Sequence, residues 1–109
     1  MTTNEGQVAL VTGASYGLGA MTADYLARDG FDVAVTDLNV DDLADTIALI
    51  EKHGRKAFAT SLDVRSVDSI DAAIAATIEG MGKIDVLINN AGVPLSKPAL
   101  DVEPDEFDN

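Results

Sequence analysis

The feature that most constrains this chain is a regular alternation between short, continuous apolar runs and longer segments with apolar residues at helical spacing. The strand-like runs cover residues 8–11, 33–35, 57–62 and 84–88. Continuous apolar runs are typical of parallel strands that are covered on both faces. With right-handed crossovers, the order β-α-β-α-β-α-β predicts an α/β fold: a Rossmann-type doubly wound parallel sheet, truncated to about four strands in the order 3-2-1-4.

The segments between these runs predict three helices, each with one apolar stripe. The first helix is expected over residues 18–29 and ends at Gly30, the second ends at His53 and Gly54, and the third begins at the N-cap Ser66. The stripe residues, in chain order, are Leu18, Thr22, Tyr25, Leu26, Leu43, Ile47, Ile50, Val67, Ile70, Ala73, Ile74 and Ile78.

A glycine-rich turn over residues 12–19, Thr-Gly-Ala-Ser-Tyr-Gly-Leu-Gly, lies directly between the first strand and the first helix. Glycines permit positive φ angles and a close approach of the backbone to a ligand. The free N–H groups and the positive end of the helix dipole then favour an anion. In this context the turn predicts a site for a dinucleotide pyrophosphate, and the alternative is an ordinary turn between a strand and a helix.

Asp37 ends the second strand run, 18 residues after Gly19. A Rossmann domain places at this position the acid that hydrogen-bonds the adenosine ribose hydroxyls. A carboxylate there repels a 2′-phosphate, and neither residues 15–19 nor residues 38–50 contain a Lys or Arg to offset it. The sequence therefore predicts NAD as cofactor in preference to NADP. The alternative is that Asp37 caps the next turn, for which Asp41 is also available.

Three segments resemble the classical short-chain dehydrogenases/reductases. Residues 12–19 match the family pattern Thr-Gly-x-x-x-Gly-x-Gly, residues 63–64 match its Asp-Val pair, and residues 89–92 match its Asn-Asn-Ala-Gly. The resemblance covers residues 6–109. It implies that residues 1–109 are the N-terminal part of a single NAD(P)-binding Rossmann domain whose C-terminal half is absent. It also implies an NAD-dependent alcohol dehydrogenase or ketone reductase, which transfers hydride reversibly at a secondary alcohol.

Carried over residue by residue, the resemblance implies a set of cofactor contacts. The turn residues would surround the pyrophosphate and adenosine, Asp37 would bind the ribose, and Asp63 would reach the adenine amino group. Asn89 would tie the sheet together through a buried amide. The full set of expected cofactor-binding residues is Gly13, Ser15, Tyr16, Gly17, Leu18, Gly19, Asp37, Leu38, Asp63, Val64, Asn90, Ala91 and Gly92. Leu38 and Val64 would line the adenine, the last three would face the nicotinamide ribose, and Tyr16 replaces a basic residue common in NADP-preferring members.

The family's chemistry requires a Tyr, a Lys four residues later and a Ser upstream. A phenol has a pKa near about 10, so it needs a neighbouring positive charge to exchange a proton at neutral pH. Tyr16 is followed four residues later by Ala20, and Tyr25 by Asp29. Asn109 is expected to lie on a helix surface. We therefore predict no catalytic residue in this chain and no turnover by the chain alone. A non-catalytic NAD-binding module and a half fold completed by a partner chain are the alternatives.

Composition and charge limit the kinds of partner, location and metal site that this protein can have. The net charge of −12 makes nucleic acid a poor partner. No apolar run approaches the roughly 20 residues of a membrane span, and the polar N-terminus favours a cytoplasmic protein. With no cysteine and with His53 as the only histidine, no metal site is expected, and His53 is assigned to a helix cap. Residues 86–88 are expected on an open sheet edge, so we predict marginal stability and self-association.

Overall fold

The structure is a computed structural model and describes residues 6–90. It contains four strands, three α-helices and one short 3-10 helix. In chain order these are β1 (Val8–Thr12), α1 (Gly17–Arg28), β2 (Asp32–Asp37), the 3-10 helix (Val40–Leu43), α2 (Ala44–Glu51), β3 (Ala57–Ser61), α3 (Val67–Met81) and β4 (Val86–Asn89). Ala91, Gly92 and Asn109 lie outside the described residues, so the expectations placed on them are not examined by the structure.

The four strands form one parallel sheet in the order β3-β2-β1-β4. The predicted fold class and strand order are confirmed. β1 lies between β2 and β4, with Thr12 opposite Thr36 on one side and Asn89 on the other. Asp37 is opposite Ser61 at the end of β3. Because all strands run in the same direction, their carboxyl ends meet along one edge of the sheet.

β1 and β2 form the centre of the core. All five residues of β1 and the four inner residues of β2 are buried. This agrees with their continuous apolar runs, since each strand is covered on both faces. No helix of residues 6–90 has the length and apolar character needed to cross a membrane; the longest, α3, has 15 residues.

The buried face of α1 differs from the predicted stripe. Leu18 and Tyr25 are exposed, whereas Gly19, Ala23 and Ala27 are buried. These three small residues recur every four positions and allow the helix to approach the sheet and the glycine-rich turn closely. The prediction was wrong for Leu18 and Tyr25, whereas the predicted Leu26 is partly buried and packs against the core.

The face of α3 is also only partly as predicted. Ala73 is buried, but Thr77 takes the next buried position, and Val67 and Ile78 are exposed. The buried Thr77 hydroxyl has a hydrogen-bond partner, since its Oγ1 donates to the Ala73 carbonyl at 2.8 Å. The predicted N-cap is confirmed, because the Ser66 Oγ accepts a hydrogen bond from the Ser69 N–H at 3.1 Å.

The His53 ring does not act as a helix cap. Its Nε2 lies 2.7 Å from Oδ1 of Asp24, so the ring links the end of α2 to α1. The backbone N–H of His53 makes the capping contact instead, at 3.1 Å from the Ile50 carbonyl. Within residues 6–90 no three His, Cys, Asp or Glu side chains are grouped so that they could hold a metal ion.

In the sheet formed by residues 6–90, β4 is an edge strand. Its only described partner is β1. The Leu87 side chain is exposed, and Val86 and Ile88 pack against the core. Within residues 6–90 β4 thus pairs on one side only, and the open edge itself stays a prediction. Self-association through it stays a prediction.

Candidate functional site

A cavity of about 550 Å³ lies at the carboxyl edge of the sheet, which we call the carboxyl-edge cavity. This volume suits a small-molecule ligand. The glycine-rich turn, the end of β2, the loop after β3 and the end of β4 form its walls. The expected binding residues on these walls are Gly13, Tyr16, Gly17, Leu18, Asp37, Leu38, Asp63, Val64 and Asn90. The structure thus brings nine separately predicted residues to one cavity.

The glycine-rich turn is fixed by contacts from two other elements. The Ala14 N–H donates to the Thr36 carbonyl of β2 at 3.0 Å. The Thr46 hydroxyl of α2 donates to the Ala14 carbonyl at 2.6 Å and is fully buried. Gly13 and Gly17 have φ angles of 65° and 64°, which an L side chain rarely adopts. Both glycines are therefore required by the path of the turn.

The N-terminus of α1 opens into the carboxyl-edge cavity without a side-chain cap. Tyr16 occupies the N-cap position and makes no capping hydrogen bond, and the first turn of α1 contains no acidic residue. The first N–H groups of a helix have no partner within the helix. With the positive end of the helix dipole beside them, they form a site suited to a phosphate.

Ser15 and Gly19 do not line the carboxyl-edge cavity but lie behind its wall. Gly19 is buried against the turn, and a Cβ added to it would lie 2.0 Å from the Gly13 carbonyl oxygen. Ser15 is also buried, and its Oγ lies beside the Asp37 carboxylate without completing a hydrogen bond of good geometry. Both residues support the turn, and their direct contact with a cofactor stays a prediction.

Asp37 connects the end of β2 to the glycine-rich turn. Its Oδ2 accepts a hydrogen bond from the Ser15 N–H at 3.1 Å, and its Oδ1 accepts one from the Leu38 N–H at 2.9 Å. Burial raises the pKa of this carboxyl, but the hydrogen bonds from Ser15 and Leu38 lower it by more. The net pKa is below the usual value, so the carboxyl-edge cavity carries a fixed negative charge at neutral pH.

The 3-10 helix after β2 does not need Asp37 as a cap. Oδ1 of Asn39 accepts a hydrogen bond from the Asp41 N–H at 3.0 Å and caps it instead. Asp41 is exposed and does not line the carboxyl-edge cavity. The structure thus gives the capping role to a residue that the sequence interpretation did not consider, and it leaves Asp37 at the cavity.

The low pKa of Asp37 predicts the pH dependence of its contribution to stability. A carboxyl whose folded-state pKa is depressed stabilises the fold above its unfolded-state pKa of about 3.8. This contribution is lost as the pH falls through the lower, folded-state pKa. We expect the stability difference between the unchanged protein and Asp37→Asn, measured by urea unfolding, to stay constant from about pH 8 to 5 and to shrink below about pH 4. A difference that already shrinks near neutral pH would contradict this assignment.

Arg65 lines the carboxyl-edge cavity and was not predicted from the sequence. Its Nε and Nη2 lie 3.0 and 3.2 Å from Oδ1 and Oδ2 of Asp63, and its backbone N–H also donates to Oδ1 at 3.0 Å. These hydrogen bonds lower the pKa of Asp63. Arg65 lies outside residues 15–19 and 38–50, the two ranges in which a basic partner was expected. The Asp-x-Arg spacing after β3 is the signal that could have identified it.

Thr12 joins the ends of β1 and β4 and was also missed. Its buried Oγ1 donates to the Asn89 Oδ1 at 2.8 Å and accepts from the Asn90 N–H at 2.9 Å. The Asn90 Nδ2 reaches the Gly13 carbonyl at 3.5 Å. Asn89 does tie the strands together, but it does so as an acceptor on an exposed residue, not through the buried amide that was expected.

Comparison with known proteins places this arrangement in a family. The model of the short chain dehydrogenase family matches residues 7–109. An L-2,3-butanediol dehydrogenase from Corynebacterium glutamicum is 43% identical over 103 residues, which are 93% of this chain and 40% of that protein. The chain thus spans about two fifths of the length of this curated relative.

Two solved structures extend the comparison. NAD⁺-bound xylitol dehydrogenase is 32% identical with a TM-score of 0.80, and the match covers 95% of this chain and 40% of that one. A metagenomic short-chain oxidoreductase in complex with NADP is 35% identical with a TM-score of 0.78, covering 94% and 46%. The sheet order, the glycine-rich turn and these matches agree with one another, and the chain belongs to the short chain dehydrogenase family.

Proposed function

We propose that this chain binds the adenosine and pyrophosphate of NAD in the carboxyl-edge cavity. It serves as the N-terminal, cofactor-binding part of a Rossmann domain in an NAD-dependent alcohol dehydrogenase or ketone reductase. The observation that supports the proposal is the contact between the glycine-rich turn and Asp37, because it brings an uncapped helix N-terminus and a carboxylate to one cavity. NAD, when bound, supplies the hydride acceptor for oxidation of a secondary alcohol.

Each wall of the carboxyl-edge cavity fits one part of the dinucleotide. The free N–H groups at the start of α1 suit the pyrophosphate, and the Asp37 carboxylate suits the ribose hydroxyls. Leu38 and Val64 supply apolar surface for the adenine, and Asp63 supplies an acceptor for its amino group. Asn90, at the end of β4, is assigned to the nicotinamide side.

The charge of the carboxyl-edge cavity favours NAD over NADP. The relatives include one solved with NAD⁺ and one solved with NADP, so the family leaves the choice to each chain's own residues. Here the ionised Asp37 occupies the ribose position, and a 2′-phosphate would bring a second anion beside it. Arg65 offers little compensation, because its guanidinium is engaged by Asp63.

Titration of the full chain with NAD and with NADP tests the proposal. We expect saturable binding of NAD, at least about tenfold tighter than that of NADP, because one close like-charge contact costs more than about 1.4 kcal/mol when partly shielded from water. Calorimetry gives both constants, and quenching of tyrosine fluorescence gives a second measure because Tyr16 lines the cavity. Equal or tighter binding of NADP would overturn the preference. No binding of either by a folded chain would overturn the site.

A further inference from the structure

We propose that Arg65 is a positioning residue for recognition of the cofactor base. It holds the Asp63 carboxylate in the orientation that accepts a hydrogen bond from the adenine amino group. The preference for adenine over a purine with a keto group at that position then depends on the Asp63–Arg65 pair. This inference rests on the proposed function, because it concerns the adenine end of the same cavity.

The geometry of the pair fixes the carboxylate. Nε of Arg65 bonds to one oxygen of Asp63 and Nη2 bonds to the other, which is the two-point arrangement that makes the two groups nearly coplanar. The Arg65 backbone N–H makes a third hydrogen bond, to Oδ1. A carboxylate has about four acceptor positions. Oδ1 is thus fully used, and Oδ2 retains one position for a further donor.

The backbone of Asp63 is fixed as well. Its N–H donates to the Ser69 Oγ in the first turn of α3 at 2.9 Å, and Ser66 caps the same helix through the Ser69 N–H. The start of the loop after β3 is therefore anchored to α3. Within this anchored loop, the hydrogen bonds from Arg65 restrain rotation of the Asp63 side chain.

The exposed fractions of the two side chains indicate which one is placed to contact a ligand. The Arg65 side chain is 68% exposed and that of Asp63 is 35% exposed, although both line the carboxyl-edge cavity. The carboxylate is the inner partner. An ion pair this exposed contributes little to folding stability, so its two-point geometry is better explained by the ligand than by the fold.

The chemistry of the base gives a specific readout. The amino group of adenine donates to Oδ2, whereas the keto oxygen of hypoxanthine would place an acceptor against a carboxylate. A fixed carboxylate therefore rejects hypoxanthine, and a rotating one can turn away from it. A purely structural defect would weaken both cofactors equally, but loss of positioning changes the ratio of the two affinities.

The experiment compares NAD with nicotinamide hypoxanthine dinucleotide, using calorimetric titrations of the full chain and its variants. We expect the unchanged chain to favour NAD about tenfold, and Arg65→Met and Asp63→Ala each to reduce the ratio to about two or less. Arg65→Lys keeps the charge but not the two-point geometry, so an intermediate ratio is expected. The double variant Asp63→Ala/Arg65→Met should reduce the ratio no further than Asp63→Ala alone, since both substitutions act through one carboxylate.

Lys83→Met is the matched control, because Lys83 forms a similar exposed pair with Asp85 at 3.3 Å and does not line the carboxyl-edge cavity. It should leave the ratio unchanged. An Arg65→Met variant with an unchanged ratio, while Asp63→Ala loses it, would overturn the inference and leave the proposed function intact. An unchanged ratio in Asp63→Ala would overturn both the role of Asp63 and this inference, as would an absence of NAD binding.

Discussion

Replacing Gly19 with alanine is expected to lower the free energy of unfolding by about 2–4 kcal/mol, a large fraction of the roughly 5–15 kcal/mol typical of a domain. The added Cβ would lie 2.0 Å from the Gly13 carbonyl oxygen and 2.7 Å from Nδ2 of Asn90. The carbonyl cannot move aside easily, because the neighbouring Ala14 is hydrogen-bonded to both β2 and α2. Urea unfolding followed by circular dichroism measures the loss.

Gly17→Ala is the matched control in the same helix turn. Gly17 has a φ of +64°, and a Cβ added there would meet nothing within 4 Å. Its substitution should therefore cost only the backbone strain of a left-handed residue, about 1–2 kcal/mol. If Gly19→Ala is no less stable than Gly17→Ala, the close approach of α1 to the glycine-rich turn does not determine stability.

NAD affinity provides a second readout of Gly19→Ala. The helix must move away from the turn to accommodate the methyl group, and this shifts its first N–H groups relative to the carboxyl-edge cavity. We expect the remaining folded fraction to bind NAD at least about tenfold more weakly, because the hydrogen bonds to the pyrophosphate depend on distance.

The strand order could be predicted because it depends on features that are local in sequence. β1 and β2 are covered on both faces, and this appears directly as the apolar runs around Leu10 and Ala34. The right-handed crossover rule then leaves few arrangements for a parallel sheet. The N-cap Ser66 could also be predicted from the sequence, since a cap depends on residues within one helical turn.

The helix faces were harder to predict because their packing depends on how closely the helix approaches the sheet. In α1 the contact is made by Gly19, Ala23 and Ala27, and the bulkier Leu18 and Tyr25 point outward. A hydrophobicity pattern gives more weight to large residues, so it selected these two together with Leu26, which does pack against the core. The close approach follows from the tight turn before the helix, which is a tertiary constraint.

The site shows the same division between local and distant contacts. Asp37 was predictable because it follows a strand at a recognisable interval from the glycine-rich turn. Thr46 was not, because it reaches the Ala14 carbonyl from 32 residues away and no local pattern records this contact. Arg65 was overlooked although its neighbours Asp63 and Val64 were predicted, because its place at the carboxyl-edge cavity depends on the side-chain pair that it forms with Asp63.

Asp37→Ala is expected to abolish or reverse the cofactor preference that we propose. Removing the carboxylate deletes the charged acceptor for the ribose hydroxyls, so NAD affinity should fall about 10- to 100-fold. It also removes the charge that opposes a 2′-phosphate, so NADP affinity should fall much less than NAD affinity. The ratio of the two affinities, measured by calorimetry, should therefore fall to about one or below. Asp41→Asn removes an exposed carboxylate outside the cavity and serves as the control for net charge.

The ratio of NAD affinity to NADP affinity separates the cofactor role of Asp37 from its structural role. Its Oδ2 accepts the Ser15 N–H at 3.1 Å, so the alanine variant also loosens the glycine-rich turn and weakens both cofactors together. Only the loss of charge at the ribose position favours NADP over NAD. Asp37→Asn keeps an oxygen acceptor for Ser15 but has no charge, so it should retain more stability than Asp37→Ala while changing the ratio in the same direction. A ratio that stays at the value of the unchanged chain in both variants would show that Asp37 serves the turn alone.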